Sequence, residues 1–174
     1  MKATLPAAAL RRRQLLALAA PLALAACGFQ LRQPPNFAFR SFYTDAPQSS
    51  TLVNELKRQL AGTGAVEVLA DARQLNRAEV LLDVLNDQRE RVVVGVNASG
   101  QVRELQLRVR FKFRLRTPQG KTLIPEVELL QERDVSYREA AALAKEAEEA
   151  LLYRDMQSDI VQQVMRRLAA VRAL

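Results

Sequence analysis

Alternation of apolar and polar residues predicts that much of the chain folds as long β-strands. The clearest strand spans Val102–Thr117, and six apolar residues along it share one face: Leu105, Leu107, Val109, Phe111, Phe113 and Leu115. Similar segments flank it at Val80–Val96 and Lys121–Val135. Because Asn97–Gly100 and Thr117–Gly120 have turn-forming sequences, we expect the three strands to form an antiparallel meander.

Apolar residues that recur at helical spacing predict a first helix over about residues 50–61. Its apolar positions are Leu52, Leu56 and Leu60. Ser49 or Ser50 can cap the N-terminus with its hydroxyl, and the glycines at 62 and 64 end the helix.

A longer helix is predicted from Ser136 to about Ala170. Ser136-Tyr137-Arg138-Glu139 fits the capping-box pattern, in which the Ser hydroxyl and the Glu carboxylate each accept a backbone N–H. Residues that lie near one stripe of this helix are Leu143, Ala147, Leu151 or Leu152, Met156, Ile160, Val164 and Leu168.

Short apolar segments at about residues 37–43 and 66–69 complete the predicted order of strand, helix, strands and helix. A meander has one apolar face, and both helices can cover it. The predicted fold class is therefore α+β: a two-layer sandwich of an antiparallel, mainly four-stranded sheet with two helices packed on one face.

The N-terminal segment has the features of a bacterial export signal. Arg11–Arg13 precede an apolar run of 12 residues, Leu15–Ala26, whereas a membrane-spanning helix needs about 20. Leu24-Ala25-Ala26-Cys27 resembles the lipobox of bacterial lipoproteins, in which cleavage precedes a lipidated cysteine. We expect residues 1–26 to be removed and Cys27 to be lipidated. The arginines also resemble a twin-arginine signal, so that route and the general secretory route both fit.

Lipidation would set the location and the domain organisation. Several acyl chains anchor a protein stably, whereas one chain binds a membrane only marginally. Gly28 stands where many lipoproteins retained at the inner membrane carry Asp, so by resemblance we expect an anchor in the outer membrane, on its periplasmic side. Residues 27–36 then form a short tether, and residues 37–174 form a single domain.

Composition argues against catalysis, and we expect neither a cofactor nor a metal. The chain has no His, and the lipid would use its one Cys. Removal of residues 1–26 takes away one Lys and three Arg, which lowers the formal charge from +7 to +3. That modest charge and the export signal argue against nucleic acid as a partner. Asp155 and Asp159 are the best candidates for an alternative, a hydrolase with a carboxylate-only site.

The strand at 102–117 has basic residues on its polar face, and two interpretations are open. The five cations are Arg108, Arg110, Lys112, Arg114 and Arg116. They can pair with carboxylates across the hairpins, for which the candidates are Asp83, Asp87, Glu126, Glu128 and Glu132. Alternatively, they can face phosphates, which Arg binds in a bidentate manner. In an exported protein, lipopolysaccharide is the expected source of those phosphates.

Several stretches together resemble the lipopolysaccharide-assembly lipoprotein family, LptE. They are the mature start Cys27–Arg32, the hairpin segment Ser99–Leu105, and the final-helix segments Leu143–Glu149, Tyr153–Met156 and Arg166–Leu168. The resemblance covers essentially the whole mature chain. It implies a two-layer α+β domain inside the lumen of the outer-membrane β-barrel LptD, where the protein acts as plug and assembly partner.

The resemblance also implies binding of lipopolysaccharide, with a Lys that maps onto Lys145. A second basic residue, found just before the hairpin glycine in some members, is replaced here by Asn97-Ala98-Ser99, so its contact is absent or shifts to Arg91 or Arg103. The alternative in the same class is an accessory lipoprotein of another envelope assembly machine that does not bind lipopolysaccharide.

Overall fold

A computed structural model describes residues 35–136 and 142–174 of the chain, with side chains from Lys145 onward in the second range. The elements are β1 (Ser41–Thr44), α1 (Thr51–Gly62), β2 (Glu67–Leu69), a 3₁₀-helix (Ala72–Arg77), β3 (Val80–Val96), β4 (Val102–Arg116), β5 (Thr122–Ser136) and α2 (Ala142–Ala169). The predicted export signal, Cys27 and most of the tether lie outside the described residues. So do Tyr137–Glu139 of the predicted capping box.

The sheet has five strands in the order β2-β1-β3-β4-β5, and it is mixed. The α+β class is confirmed, but the prediction of an antiparallel, mainly four-stranded sheet is wrong in strand number and direction. Strands β3, β4 and β5 are antiparallel, whereas β1 runs parallel to both β2 and β3. A helical connection returns the chain to the end where the preceding strand began, so the strands on either side of it become parallel.

Helix α1 begins where the predicted cap residue Ser50 lies. The Ser50 Oγ accepts a hydrogen bond from the Val53 N–H at 3.1 Å, and its hydroxyl donates to Asp87 Oδ2 on β3 at 2.6 Å. Ser50 therefore both caps the helix and ties it to the sheet. At the other end, Gly64 takes a left-handed conformation with φ +68°.

One face of the sheet packs against the two helices and forms the core. All six apolar residues predicted on one face of β4 are buried there. Their partners from the helices are Leu52, Val53, Leu56, Leu60, Met156, Ile160, Val161, Val164 and Leu168. Among the residues described, the buried members of this cluster lie between Phe37 and Leu168, so the core joins β1 near one end of the domain's chain to α2 near the other. A smaller cluster of Tyr43, Leu69, Ala78 and Leu81 lies against Leu75 of the 3₁₀-helix.

The three long strands give the domain two different ends. Strands of 15 to 17 residues span about 50 Å. We call the end at the β3–β4 turn the distal end and the end at the β4–β5 turn the proximal end. Both turns place a glycine in the left-handed region, Gly100 with φ +78° and Gly120 with φ +91°. Helix α2 buries its apolar stripe from Met156 to Leu168. Leu151, closer to the start of the helix, is 55% exposed.

Asp83 joins β3 to β4 on the face away from the helices. Its Oδ2 accepts hydrogen bonds from Arg114 Nε at 2.7 Å and Arg116 Nε at 2.8 Å, and its side chain is 14% exposed. Burial alone would raise the pKa of Asp83. The hydrogen bonds and positive charges of the two arginines outweigh burial, and the pKa lies below its ordinary value.

We expect Leu107→Ala to destabilise the domain by about 2–5 kcal/mol, because Leu107 is fully buried and its truncation leaves a cavity. The matched control is Leu130→Ala on β5, where Leu130 is 41% exposed and the cost should stay below about 1 kcal/mol. Urea unfolding measures both free energies. Equal losses would contradict the assignment of the core face.

We expect Asp83→Asn to cost about 1–2 kcal/mol near neutral pH, because two charge-assisted hydrogen bonds lose the carboxylate. The folded state lowers the pKa of Asp83, so its stabilisation is complete above the unfolded pKa of about 3.9 and is lost as pH falls through the folded pKa. The difference between wild type and variant should therefore shrink below about pH 4 in unfolding curves.

A suitable control is Asp155→Asn, because Asp155 is exposed and forms no ion pair among the residues described. Its unfolding curves should stay close to those of the wild type throughout. A difference for Asp83→Asn that does not change with pH would contradict the ionic account.

Candidate functional site

The basic side chains of β4 lie on the face away from the helices, and all five pair with carboxylates of neighbouring strands. Arg108 Nε lies 2.9 Å from Glu132 Oε1, Arg110 Nε lies 3.6 Å from Glu90 Oε1, Arg110 also contacts Glu128, Lys112 contacts Glu126, and Arg114 and Arg116 share Asp83. Five cations thus face five carboxylates. Of the two open interpretations of the basic strand, the ion-paired surface is the one that the geometry supports.

The pKa values of Arg110 and Lys112 change as such pairing requires. The hydrogen bond to Glu128 raises the pKa of Arg110, and the hydrogen bond to Glu126 raises the pKa of Lys112. Both groups stay charged, and their anionic partners are built into the sheet. A role of Arg108, Arg110 and Lys112 in binding lipopolysaccharide stays a prediction, since a ligand there would have to displace these partners.

Asp87, one of the candidate partners of the basic strand, lies on the opposite face of the sheet. The pairing of β3 with β4 shifts between Val84 and Asn86, so Leu85 is an extra residue and the side chains from Asn86 to Val93 change face. Asp87 consequently accepts the hydrogen bond from Ser50 on the helix side. Glu90 consequently lies beside Arg110 on the outer face, whereas alternation without the extra residue would put Glu90 on the helix side.

Arg89 holds the two helices against β3. Its Nη2 donates to Thr51 Oγ1 at 2.7 Å and to Gln157 Oε1 at 2.6 Å, and its guanidinium lies 5.6 Å from the centre of the Tyr153 ring. The Tyr153 hydroxyl donates to the Glu90 carbonyl at 2.7 Å, and burial raises the pKa of Tyr153. These contacts fix where α2 lies along the sheet, so its N-terminal part is carried to the distal end.

The distal end carries an uncharged, partly apolar tip. Residues 92–102, which we call the valine tip, contain no charged side chain, although a quarter of the chain is charged. Val93, Val94 and Val96 are 47–60% exposed. Gly95 lets β4 approach closely, because a Cβ there would lie 3.0 Å from Glu104 Cβ.

Three of the predicted site residues lie toward the distal end of the domain. Arg91 Nη2 lies 3.2 Å from Glu149 Oε1 on α2, one helical turn after Lys145. Arg91 is opposite Leu107 and is therefore on the helix side of the sheet, whereas Arg103 lies at an irregularity, because Gly95 pairs with Glu104 and Val96 pairs with Val102. Arg103 is exposed, with Gln101 Oε1 at 3.5 Å from its Nη2.

Lys145 is the least accessible of these cations. Its side chain is 18% exposed, and its Nζ lies 2.6 Å from Glu148 Oε2. A lysine held in this way is oriented before any ligand arrives. The distal end therefore combines oriented cations with exposed valines, an arrangement that suits an amphiphile with both anionic and apolar parts.

Asp155 and Asp159, the candidates for a hydrolytic site, do not converge on a common centre. Asp159 pairs with Arg133 of β5 at 3.4 Å, and Asp155 is exposed. Within residues 35–136 and 142–174, the structure has no group of three or more His, Cys, Asp or Glu side chains suited to a metal ion. The helices in that part of the chain are too short or too polar to cross a membrane.

The valine tip and the role of Glu90 were not predicted from the sequence. A signal for the tip was present, since the 11 residues between Arg91 and Arg103 lack charge in an otherwise charged strand pair. Glu90 had no such signal, because its face depends on the bulge at Leu85.

Comparison with known proteins gives a family match over most of the chain. The family description "LptE: Lipopolysaccharide-assembly" matches residues 39–168. No curated protein is similar enough to count as a match.

Solved structures agree with that match. The NMR structure of the uncharacterized lipoprotein B from Nitrosomonas europaea has a TM-score of 0.69 and 32% identity, over 82% of this chain and 91% of that one. The minor lipoprotein from Acinetobacter baumannii (TM-score 0.60, 21% identity, 78% and 94% covered) and the rare lipoprotein B from Shewanella oneidensis (0.60, 20%, 75% and 95%) share the fold. The resemblance seen in the sequence is confirmed: the chain belongs to the LptE family of lipopolysaccharide-assembly lipoproteins.

Proposed function

We propose that the protein is an outer-membrane lipoprotein, anchored through Cys27 on the periplasmic side, that plugs and helps assemble the LptD barrel. It also binds lipopolysaccharide for delivery to the outer leaflet. The family match supports the assembly role, and it supports a binding function in place of catalysis. The observation that carries the lipopolysaccharide-binding part is the placement of Arg91, Arg103 and Lys145 toward the distal end, which also carries the exposed valines.

Lipopolysaccharide has phosphates next to acyl chains, so its binding site needs cations next to an apolar surface. The valines supply the apolar surface, and burying them against acyl chains is favourable at about 25 cal/mol per Å². The arginines supply planar, fork-shaped donors that fit phosphate oxygens. Lys145 adds a point charge whose orientation is already set.

The acidic partners of these cations define the mechanism of binding. Glu149 holds Arg91, and Glu148 holds Lys145. A phosphate of lipid A exchanges for a carboxylate, which keeps each cation compensated before and after binding. Such an exchange favours reversible transfer over permanent capture, as delivery requires. It also confines strong binding to a ligand that adds apolar contacts with the valine tip.

The outer face of the sheet suits the interior of a barrel. The interior of a membrane β-barrel is polar, so a plug needs a polar surface with little net charge. The ion-paired face of β3, β4 and β5 has that character, because its five cations are matched by five carboxylates. The long meander supplies a rigid body that can present the valine tip at one end of the lumen.

We expect the combined change of Arg91, Arg103 and Lys145 to Gln to weaken lipopolysaccharide binding at least about tenfold, since hydrogen bonds between charged groups contribute about 1.5–3 kcal/mol each. The matched control changes Arg108, Arg110 and Lys112 to Gln, which removes the same charge from the ion-paired face. Its affinity should change by less than about threefold. Titration with purified lipopolysaccharide measures both, and an equal or larger loss in the control would place the site on the basic strand.

We expect a Cys27→Ala chain, exported by another signal, to copurify with LptD, because the domain supplies the binding surface and the lipid only keeps it nearby. Detergent extraction with an affinity tag, followed by identification of the retained barrel, measures this. Loss of the barrel would make the anchor the main determinant. Recovery of a different barrel from the wild type, without LptD, would favour the accessory lipoprotein of another envelope machine.

A further inference from the structure

The proximal end gathers exposed cations that the proposed function does not use. Arg166 and Arg167 lie in the last turn of α2, Arg172 follows the helix, and Lys121 follows the β4–β5 turn. All four residues are exposed, and none is in an ion pair among the residues that the structure describes. From Ile160 to Leu174 the sequence contains no Asp or Glu. We call these four residues the proximal basic surface.

Two clefts contain three of these four cations. A cleft of about 430 Å³ is lined by Lys121, Leu174 and Glu79, among others, so Leu174 lies beside the β4–β5 turn. A second, of about 260 Å³, is lined by Arg166 and Arg167. Arg172 lies in the segment of the chain between these two cationic groups, after Arg167 and before Leu174. Glu79 is the carboxylate that lines the first cleft, and its Oε2 accepts the Arg40 N–H at 2.6 Å.

A simpler explanation accounts for only part of this surface. Basic side chains in the last turn of a helix complement the negative end of its dipole, which explains Arg166 and Arg167. It does not explain Arg172 or Lys121, which lie outside the helix. It also leaves unexplained why none of these four cations has a carboxylate partner among the described residues, whereas all five cations of the basic strand are paired.

The entry point of the chain indicates what this surface faces. Arg40 precedes β1, and its carbonyl accepts the Glu67 N–H at 2.7 Å at the proximal end of the sheet. Seven residues separate Cys27 from Pro35, and the eight Cα–Cα steps between them extend at most about 28 Å. The described chain enters the sheet at the proximal end, which is about 50 Å along the strands from the distal end.

We infer that the proximal basic surface docks on the anionic phospholipid headgroups of the membrane that holds the anchor. Basic residues gain attraction to such a surface only within about a Debye length, roughly 8–10 Å, so cations at this end contribute and distal ones do not. Stable anchoring commonly combines a lipid with a basic patch. The surface would thus set the orientation of the domain, with the valine tip directed away from that membrane leaflet.

The test uses the chain from residue 27 with Cys27→Ala. This protein lacks the lipid and keeps residues 35–174, which hold the hydrophobic core described above. Flotation measures its partition into vesicles of phosphatidylcholine with phosphatidylglycerol, and into phosphatidylcholine alone. We expect binding to the anionic vesicles that falls as salt is added. Changing Arg166, Arg167 and Arg172 to Gln should lower the partition coefficient at least about tenfold, since each cation contributes about fivefold.

A matched control changes Arg58, Arg73 and Arg154 to Gln, which removes three exposed cations from elsewhere on the domain. It should lower partition by less than about threefold, and changing Arg166, Arg167 and Arg172 to Lys should retain binding. Thermal unfolding confirms that each variant is folded. Equal loss in proximal and control variants, or no wild-type binding to anionic vesicles, would overturn the inference.

Two further measurements separate this inference from the proposed function. The proximal Gln variant should bind lipopolysaccharide and copurify with LptD as the wild type does, because its changes lie far from the valine tip. If it instead keeps vesicle binding and loses LptD, the proximal surface contacts the barrel and the inference is wrong. Failure of lipopolysaccharide binding in the wild type would remove the proposed function without affecting the vesicle result.

Discussion

The central strand β4 has to satisfy opposite requirements on its two faces. On one face it buries six apolar side chains, and on the other it holds five cations that need partners. The antiparallel neighbours β3 and β5 meet the second requirement, because their carboxylates lie beside the cations on the same face of the sheet. The meander, its register and its polar outer face all follow from this strand.

The helices pack over part of the sheet, and the candidate binding residues lie toward its two ends. Arg89 sets the position of α2, so the helix brings Glu149 to Arg91 at the distal end and Arg166 to the proximal end. The middle of the outer face is neutral by pairing. The two ends therefore differ from the middle and from each other: one combines cations with valines, and the other has cations without acids nearby in sequence.

Local patterns succeeded where a residue's neighbours in sequence decide its environment. The buried face of β4, the Ser50 cap and the two turns were all predicted, because alternation, capping and turn chemistry act within a few residues. The mixed sheet was missed because strand direction depends on where a connection returns. The pairing of Glu90 was missed because a single extra residue at Leu85 reverses the faces of the residues from Asn86 to Val93.

The sequence by itself determined the α+β class, the core face of β4 and the family, since each is carried by the order and spacing of residue types. Only the tertiary structure decided which cations are neutralised and which are grouped. Arg108 and Arg91 look alike in sequence, yet one lies beside Glu132 on the outer face and the other beside Glu149 and the valine tip. The physical reason is that electrostatic interactions act through space over a few ångströms, and strand pairing, a bulge and helix placement determine those distances.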